Sequence, residues 1–201
     1  MLVDYIKPVY GKNYDRGFVF GTNKMDDFVH AGIAYFQRWE RMDILKCQHV
    51  GLVVDENTII QAHVGIGVHE ASISTLFDDP CTQVFFRKPK GLTSEMANRI
   101  VGTASMHLGQ DYDKSLILAH AANGTFLGRL ASKMTDGASE RALCEWLDDP
   151  FQWICSELVA DALDTQPELK DQGILALPDC AIKPQELISD EIIYEQWKDG
   201  K

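Results

Sequence analysis

Apolar residues change period along the chain, and each change marks a new kind of element. In the run DDFVHAGIAYFQRW, opened by Asp26 and Asp27, the residues Phe28, Ile33, Phe36 and Trp39 fall near one helical face, which predicts a helix. QHVGLVV and TIIQAHV then read as two short strands around a turn at Asp55, Glu56 and Asn57, a hairpin. GIGVHEASIS extends the sheet through Ile66, Val68 and Ile73, and TQVFFRKP adds a strand that Pro89 ends. LTSEMANRIVGTASMHLG reads as a helix, with Thr93 or Ser94 as its cap and Gly109 beyond its end. A further helix is expected around SLILAHAANGTFLGRLASKM. Another is expected over PFQWICSELVADALD, its first turn following Asp148, Asp149 and Pro150. Met1 to Thr22 reads as loop with short strands, and ELISDEIIYEQW as a closing short helix or strand. Helix, several strands, then helices is the order of an α+β domain, an antiparallel sheet packed against helices.

Composition narrows the function more than the fold. A chain of 201 residues fits one domain over residues 1–201 with a proper core. Its formal net charge of −11 repels phosphate backbones, which argues against nucleic acid as a partner. No apolar stretch approaches the ~18 residues of a spanning helix, so no transmembrane segment is expected. The opening MLVDYIKPVYGKNYDRG has no apolar core of a secretory leader, and the reading is a cytoplasmic protein. A phage or injected protein would share that feature. The five cysteines, Cys47, Cys81, Cys144, Cys155 and Cys180, are widely spread and form no C-x-x-C pair. That pattern predicts reduced thiols without disulfides, and no zinc knuckle. No metal and no organic cofactor is implied.

Acyl-transfer chemistry at a thiol needs a cysteine, an imidazole to take its proton, and a polar group to hold the imidazole's tautomer. Cys155 lies in the first turns of its expected helix, where the helix dipole favours a thiolate. The plainer reading of Cys155 is a small buried apolar side chain. His49 opens the strand HVGLVV and is the matching base; a strand histidine with a satisfied hydrogen bond is its plainer reading.

The stretch His49-Val50-Gly51-Leu52-Val53-Val54, the turn, Thr58-Ile59-Ile60-Gln61-Ala62 and then Cys155-Ser156-Glu157-Leu158-Val159 resembles the circularly permuted NlpC-type papain-like cysteine hydrolases. That superfamily includes the YiiX-like bacterial proteins and the lecithin–retinol acyltransferase group. Tyr112-Asp113 after Gly109 resembles its Gly-x-x-Tyr-Asp element, and Lys183-Pro184-Gln185-Glu186-Leu187 with Ser189 its closing segment. The resemblance runs from about Asp26 to Ile193. Two departures stand out. The family's Gly-Asp pair before an apolar run has only Asp15-Arg16-Gly17-Phe18-Val19-Phe20 as a loose counterpart. The third catalytic position, usually His or Glu, falls on Gln61.

The resemblance implies a permuted papain-like α+β fold, with an antiparallel sheet or small barrel against helices and the nucleophile at a helix N-terminus. It implies Cys155 as nucleophile, His49 as base and Gln61 as orienter, with His63 and then Glu70 as alternatives to Gln61. The expected reaction is cleavage of an amide bond through an acyl-enzyme, in a small peptide-like or acylated substrate such as a cell-wall peptide. Lipid acyl transfer, or a binding module that has lost catalysis, are the alternatives. A carboxylate stabilises the imidazolium of a thiolate–imidazolium pair better than the neutral Gln61 does, so Gln61→Glu, with the carboxylate ionised, is expected to move the acidic limb of the pH–rate profile to lower pH.

Overall fold

A computed structural model of the chain describes residues 8–23, 47–79, 82–113, 135 and 152–196. The helix expected from Asp26 to Trp39, the one around SLILAHAANGTFLGRLASKM, Cys81 and Cys144 lie outside these residues.

The described residues form an α+β structure built on a five-stranded antiparallel sheet. In chain order its strands are β1 (Val19–Asn23), β2 (His49–Val53), β3 (Thr58–His63), β4 (Gly67–Ser72) and β5 (Gln83–Arg87), arranged β4-β3-β2-β1-β5. The expected hairpin is β2 and β3. Its turn closes with Val54 and Asp55 donating to the Thr58 carbonyl at 2.9 and 3.3 Å, and Asp55 Oδ1 accepting from the Asn57 N–H at 2.8 Å. β1, in the segment read as loop with short strands, is fully buried and pairs on both sides, with β2 and β5.

Alternation sends the two faces of β2 into two cores. Val50 and Leu52 pack with Ile60, Ala62, Val68 and the helices. Val53 packs on the other side with Phe20, Ile59, Ile73 and Tyr14. Gly51 has no room for a side chain: a Cβ there would lie 2.5 Å from the Phe20 ring and 2.7 Å from the Ile60 carbonyl oxygen.

α1 (Ser94–Ser105) begins where expected. Thr93 is its cap, Oγ1 accepting from the Met96 N–H at 3.2 Å, and Met96, Ala97, Ile100, Val101 and Ala104 form its buried stripe. The next helix differs from expectation. Gln152–Trp153 is a strand, β7, paired in parallel with β6 (Asp111–Tyr112), and α2 runs only over Cys155–Asp164. The pairing registers Tyr112 with Trp153 and draws the Asp113 N–H to the Trp153 carbonyl at 3.2 Å. A helix starting at Phe151 would forgo those bonds.

The tail closes the domain. α3 (Pro184–Ser189) has Pro in its first turn, and Gln185 Oε1 accepts from the Cys47 N–H at 2.7 Å, pinning the chain just before β2. Ser156 donates to the Ile182 carbonyl at 2.7 Å, tying α2 to the same segment. Beyond α3, Tyr194 bridges to Pro89, with the buried Arg87 guanidinium 5.0 Å from its ring centre. Among the described residues no helix is long and apolar enough to cross a membrane.

Candidate active site

The site sits where β2 and β3 part. Their ladder registers Val53 with Ile59 and Leu52 with Ile60, and stops there. Val54 donates toward β3, so by alternation the Val50 N–H points the same way. Beyond the last pair it meets the sulfur of Cys155 instead of a β3 carbonyl. Cys155 is therefore wedged at an open fork, with His49 on one prong and Gln61 on the other.

Cys155 is the first residue of α2, at the helix end itself and not inside the first turns of a longer helix as the sequence suggested. Ile154 precedes it in extended conformation, and its N–H donates to Glu157 Oε2 at 3.3 Å. Burial is the largest influence on the Cys155 thiol and pushes its pKa up. The N–H groups of Val50, Ser156 and Cys155 and the hydroxyl of Tyr112 each pull it down, without reversing the shift. The sequence argument from the helix dipole expected a lowered thiol; desolvation outweighs it. Tyr112, held next to α2 by the β6–β7 pairing, also has its oxygen toward the Cys155 N–H, and burial raises its own pKa.

His49 is almost closed from solvent, at 9% exposure against 4% for Cys155. Burial lowers its pKa, and its hydrogen bond to Gln61 works in the opposite direction. That bond joins Nε2 to Gln61 Oε1 at 2.8 Å. Since a carbonyl only accepts, His49 carries its proton on Nε2. Burial thereby shifts the Cys155 thiol and the His49 imidazole each toward its neutral form.

The alternatives to Gln61 fall elsewhere. His63 stands edge-on to His49 with ring centres 6.3 Å apart, and its Nδ1 lies 3.0 Å from the Val64 carbonyl oxygen. Glu70 is registered opposite Ile60, so it points away from the face that carries Gln61. Gln61 is registered opposite His69, whose Nε2 lies 3.4 Å from the Gln61 amide nitrogen. Two residues were missed as neighbours of the site. Tyr112 was visible as part of the Tyr112-Asp113 element but carried no role. His69 had no sequence signal until the β3–β4 register was known.

A second thiol flanks the same backbone. Cys47 Sγ donates to the His49 carbonyl at 3.3 Å, and its burial pushes its pKa well up. That carbonyl and the Val50 N–H belong to one peptide unit and point in opposite directions. Cys47 and Cys155 thus lie on opposite sides of it. Cys47, Cys155 and Cys180 are all free thiols. Among the described residues no group of three or more His, Cys, Asp or Glu side chains is placed to hold a metal ion.

No protein-family model matches the chain, and no curated protein matches it.

Proposed function

We propose that the protein is a cysteine hydrolase with a permuted papain-like fold that cleaves an amide bond in a peptide-like substrate through an acyl-enzyme on Cys155. The observation that carries this reading is the fork. A helix-initial thiol contacts the backbone amide next to His49, and a glutamine on the facing strand holds the His49 ring by Nε2.

In this mechanism the resting pair is neutral. His49 Nδ1, the nitrogen Gln61 does not take, accepts the Cys155 proton as sulfur bonds to the substrate carbonyl carbon. The carbonyl oxygen takes up negative charge and is met by N–H groups at the start of α2, with the Tyr112 hydroxyl beside them. The tetrahedral adduct collapses, the C–N bond breaks, and His49 returns the proton to the leaving amine. Water then adds to the thioester, His49 takes its proton, and the carboxylic acid leaves as the Cys155 thiol is restored.

Intact-protein mass spectrometry with p-nitrophenyl acetate as acyl donor tests this reading without knowledge of the natural substrate. Acetyl transfer to Cys155 is expected in the wild type and none in Cys155→Ala. His49→Ala should be slower by about 10²–10⁴-fold. No acylation at Cys155, or acylation indifferent to His49→Ala, would overturn the proposal.

A further inference from the structure

The hydrogen bonds do not stop at Gln61. They continue across the sheet to His69, where Nε2 lies 3.4 Å from Gln61 Nε2, and on to the Gly67 carbonyl, 3.0 Å from His69 Nδ1. Each partner along this line fixes the next. The Gly67 carbonyl only accepts, so His69 Nδ1 carries a proton. A neutral His69 then has a bare Nε2, which only an N–H can satisfy. That turns the Gln61 amide so its NH₂ faces His69 and its oxygen faces His49. The oxygen in turn requires the proton of a neutral His49 on Nε2 and leaves Nδ1 without one.

We propose that His69 is a positioning residue that sets the tautomer of His49 through the Gln61 amide. The inference deepens the hydrolase reading and rests on it for its catalytic meaning, since Nδ1 is the nitrogen that must be bare for His49 to act as base. The geometry around the relay is stiff. Gln61 and His69 face each other in a ladder that runs unbroken from Thr58↔Ser72 to His63↔Gly67. Its far end is clasped by Val68 N–H to the Gln110 carbonyl and Gly109 N–H to the Val68 carbonyl, both at 2.9 Å. Gly67 has φ +83°, and a Cβ there would lie 2.1 Å from the Gln110 oxygen, so the carbonyl that anchors His69 is held by packed backbone. An amide in the reverse sense would put a carbonyl against His69 Nε2 while Nδ1 still faces a carbonyl. Only a doubly protonated, charged His69 satisfies both. His63 lies edge-on to His69 at 6.4 Å between ring centres, with its Nδ1 3.0 Å from the Val64 carbonyl oxygen.

The test reads tautomers directly, by long-range ¹H–¹⁵N correlation on the full chain with ¹⁵N-labelled histidine, at a pH above the imidazole range. Wild type should show His49 protonated on Nε2 and His69 on Nδ1. His69→Lys places a permanent donor opposite the amide and should reverse it, moving the His49 proton to Nδ1. Acetylation of Cys155 should then fall by about 10²–10⁴-fold, the scale of a wrong-tautomer base. His69→Phe, which keeps an aromatic of similar breadth, should leave His49 in a mixture of tautomers, and His63→Phe should leave it unchanged. His49 protonated on Nδ1 in the wild type, or a tautomer indifferent to both His69 variants, would overturn the inference. If the tautomers respond as described but wild-type Cys155 is never acylated, the relay stands and the hydrolase reading falls. If acylation depends on His49 while its tautomer ignores position 69, the relay alone falls.

Discussion

Replacing Gln61 with glutamate asks how the Cys155–His49 pair rests. The new carboxylate oxygen would take the place of Gln61 Oε1, 2.8 Å from His49 Nε2. With charge centres roughly 4 Å apart, attraction to an imidazolium is about 4 kcal/mol at an effective dielectric constant of ~20. Removing the carboxylate from water takes back part of this. An opposite charge at such range raises a histidine by about one to three pKa units. Burial holds His49 below its ordinary value of ~6.5 against the opposing effect of its hydrogen bond to Gln61, and Gln61→Glu should raise its midpoint above that of the wild type. The acidic limb should follow. Burial holds the Cys155 thiol protonated at neutral pH, so loss of activity on the acid side reports protonation of His49. A raised His49 pKa then moves that limb to higher pH. This reverses the direction expected from a resting thiolate–imidazolium pair. The assay is an NMR titration of the His49 Cε1–H in both proteins, which needs no substrate. A midpoint in Gln61→Glu equal to or below that of the wild type would refute the reasoning.

Two further outcomes follow from neighbours of the site. Tyr112→Phe removes a hydroxyl that lowers the Cys155 pKa, so iodoacetamide should label Cys155 about ten- to a hundredfold more slowly at fixed pH, the scale of one hydrogen bond to a charged group. Peptide mapping of the label checks it. Gly67→Ala combines a positive φ with a Cβ 2.1 Å from the Gln110 oxygen and should cost about 2 kcal/mol or more in urea unfolding; an unchanged midpoint would mean that the β4–β6 clasp yields freely.

Elements that are set locally were legible in the sequence. The β2–β3 hairpin follows from alternation around Asp55–Asn57, and the start of α1 from Thr93 before an apolar stripe. Gln61 was legible as the partner of His49 from its place in the hairpin motif and not from the turn alone, since the register continued past Leu52↔Ile60 would set His49 opposite His63 and leave Gln61 to reach the ring diagonally. What failed was set by distant partners. PFQW reads as the start of a helix because it is apolar and runs straight into CSELVADAL. Gln152–Trp153 is a strand because Asp111–Tyr112, far upstream, offers it a ladder. The direction of the Cys155 pKa shift was misjudged for a related reason. The helix end is visible in one dimension, but desolvation is the sum of every segment that closes over the sulfur. β1 hides in a segment rich in Gly, Tyr and Asp, although β2 and β5 both pair with it.

The peptide unit between His49 and Val50, with Cys47 at its oxygen and Cys155 at its N–H, also bears on how the protein meets oxidants. Peroxide takes a thiol to a sulfenic acid, which a neighbouring thiol can capture as a disulfide before further, irreversible oxidation. Cys47 lies at the same peptide unit as Cys155, yet that rigid planar group separates the two, and an S–S bond needs the sulfurs at ~2.05 Å. Forming that bond would require a sulfur to leave its side of a peptide unit that the ladder at Thr22↔His49 and Gly21↔Val50 holds in place. Cys47 is therefore not placed to serve Cys155 as a resolving thiol while the sheet is intact, and capture of an oxidised Cys155 would fall to some other thiol.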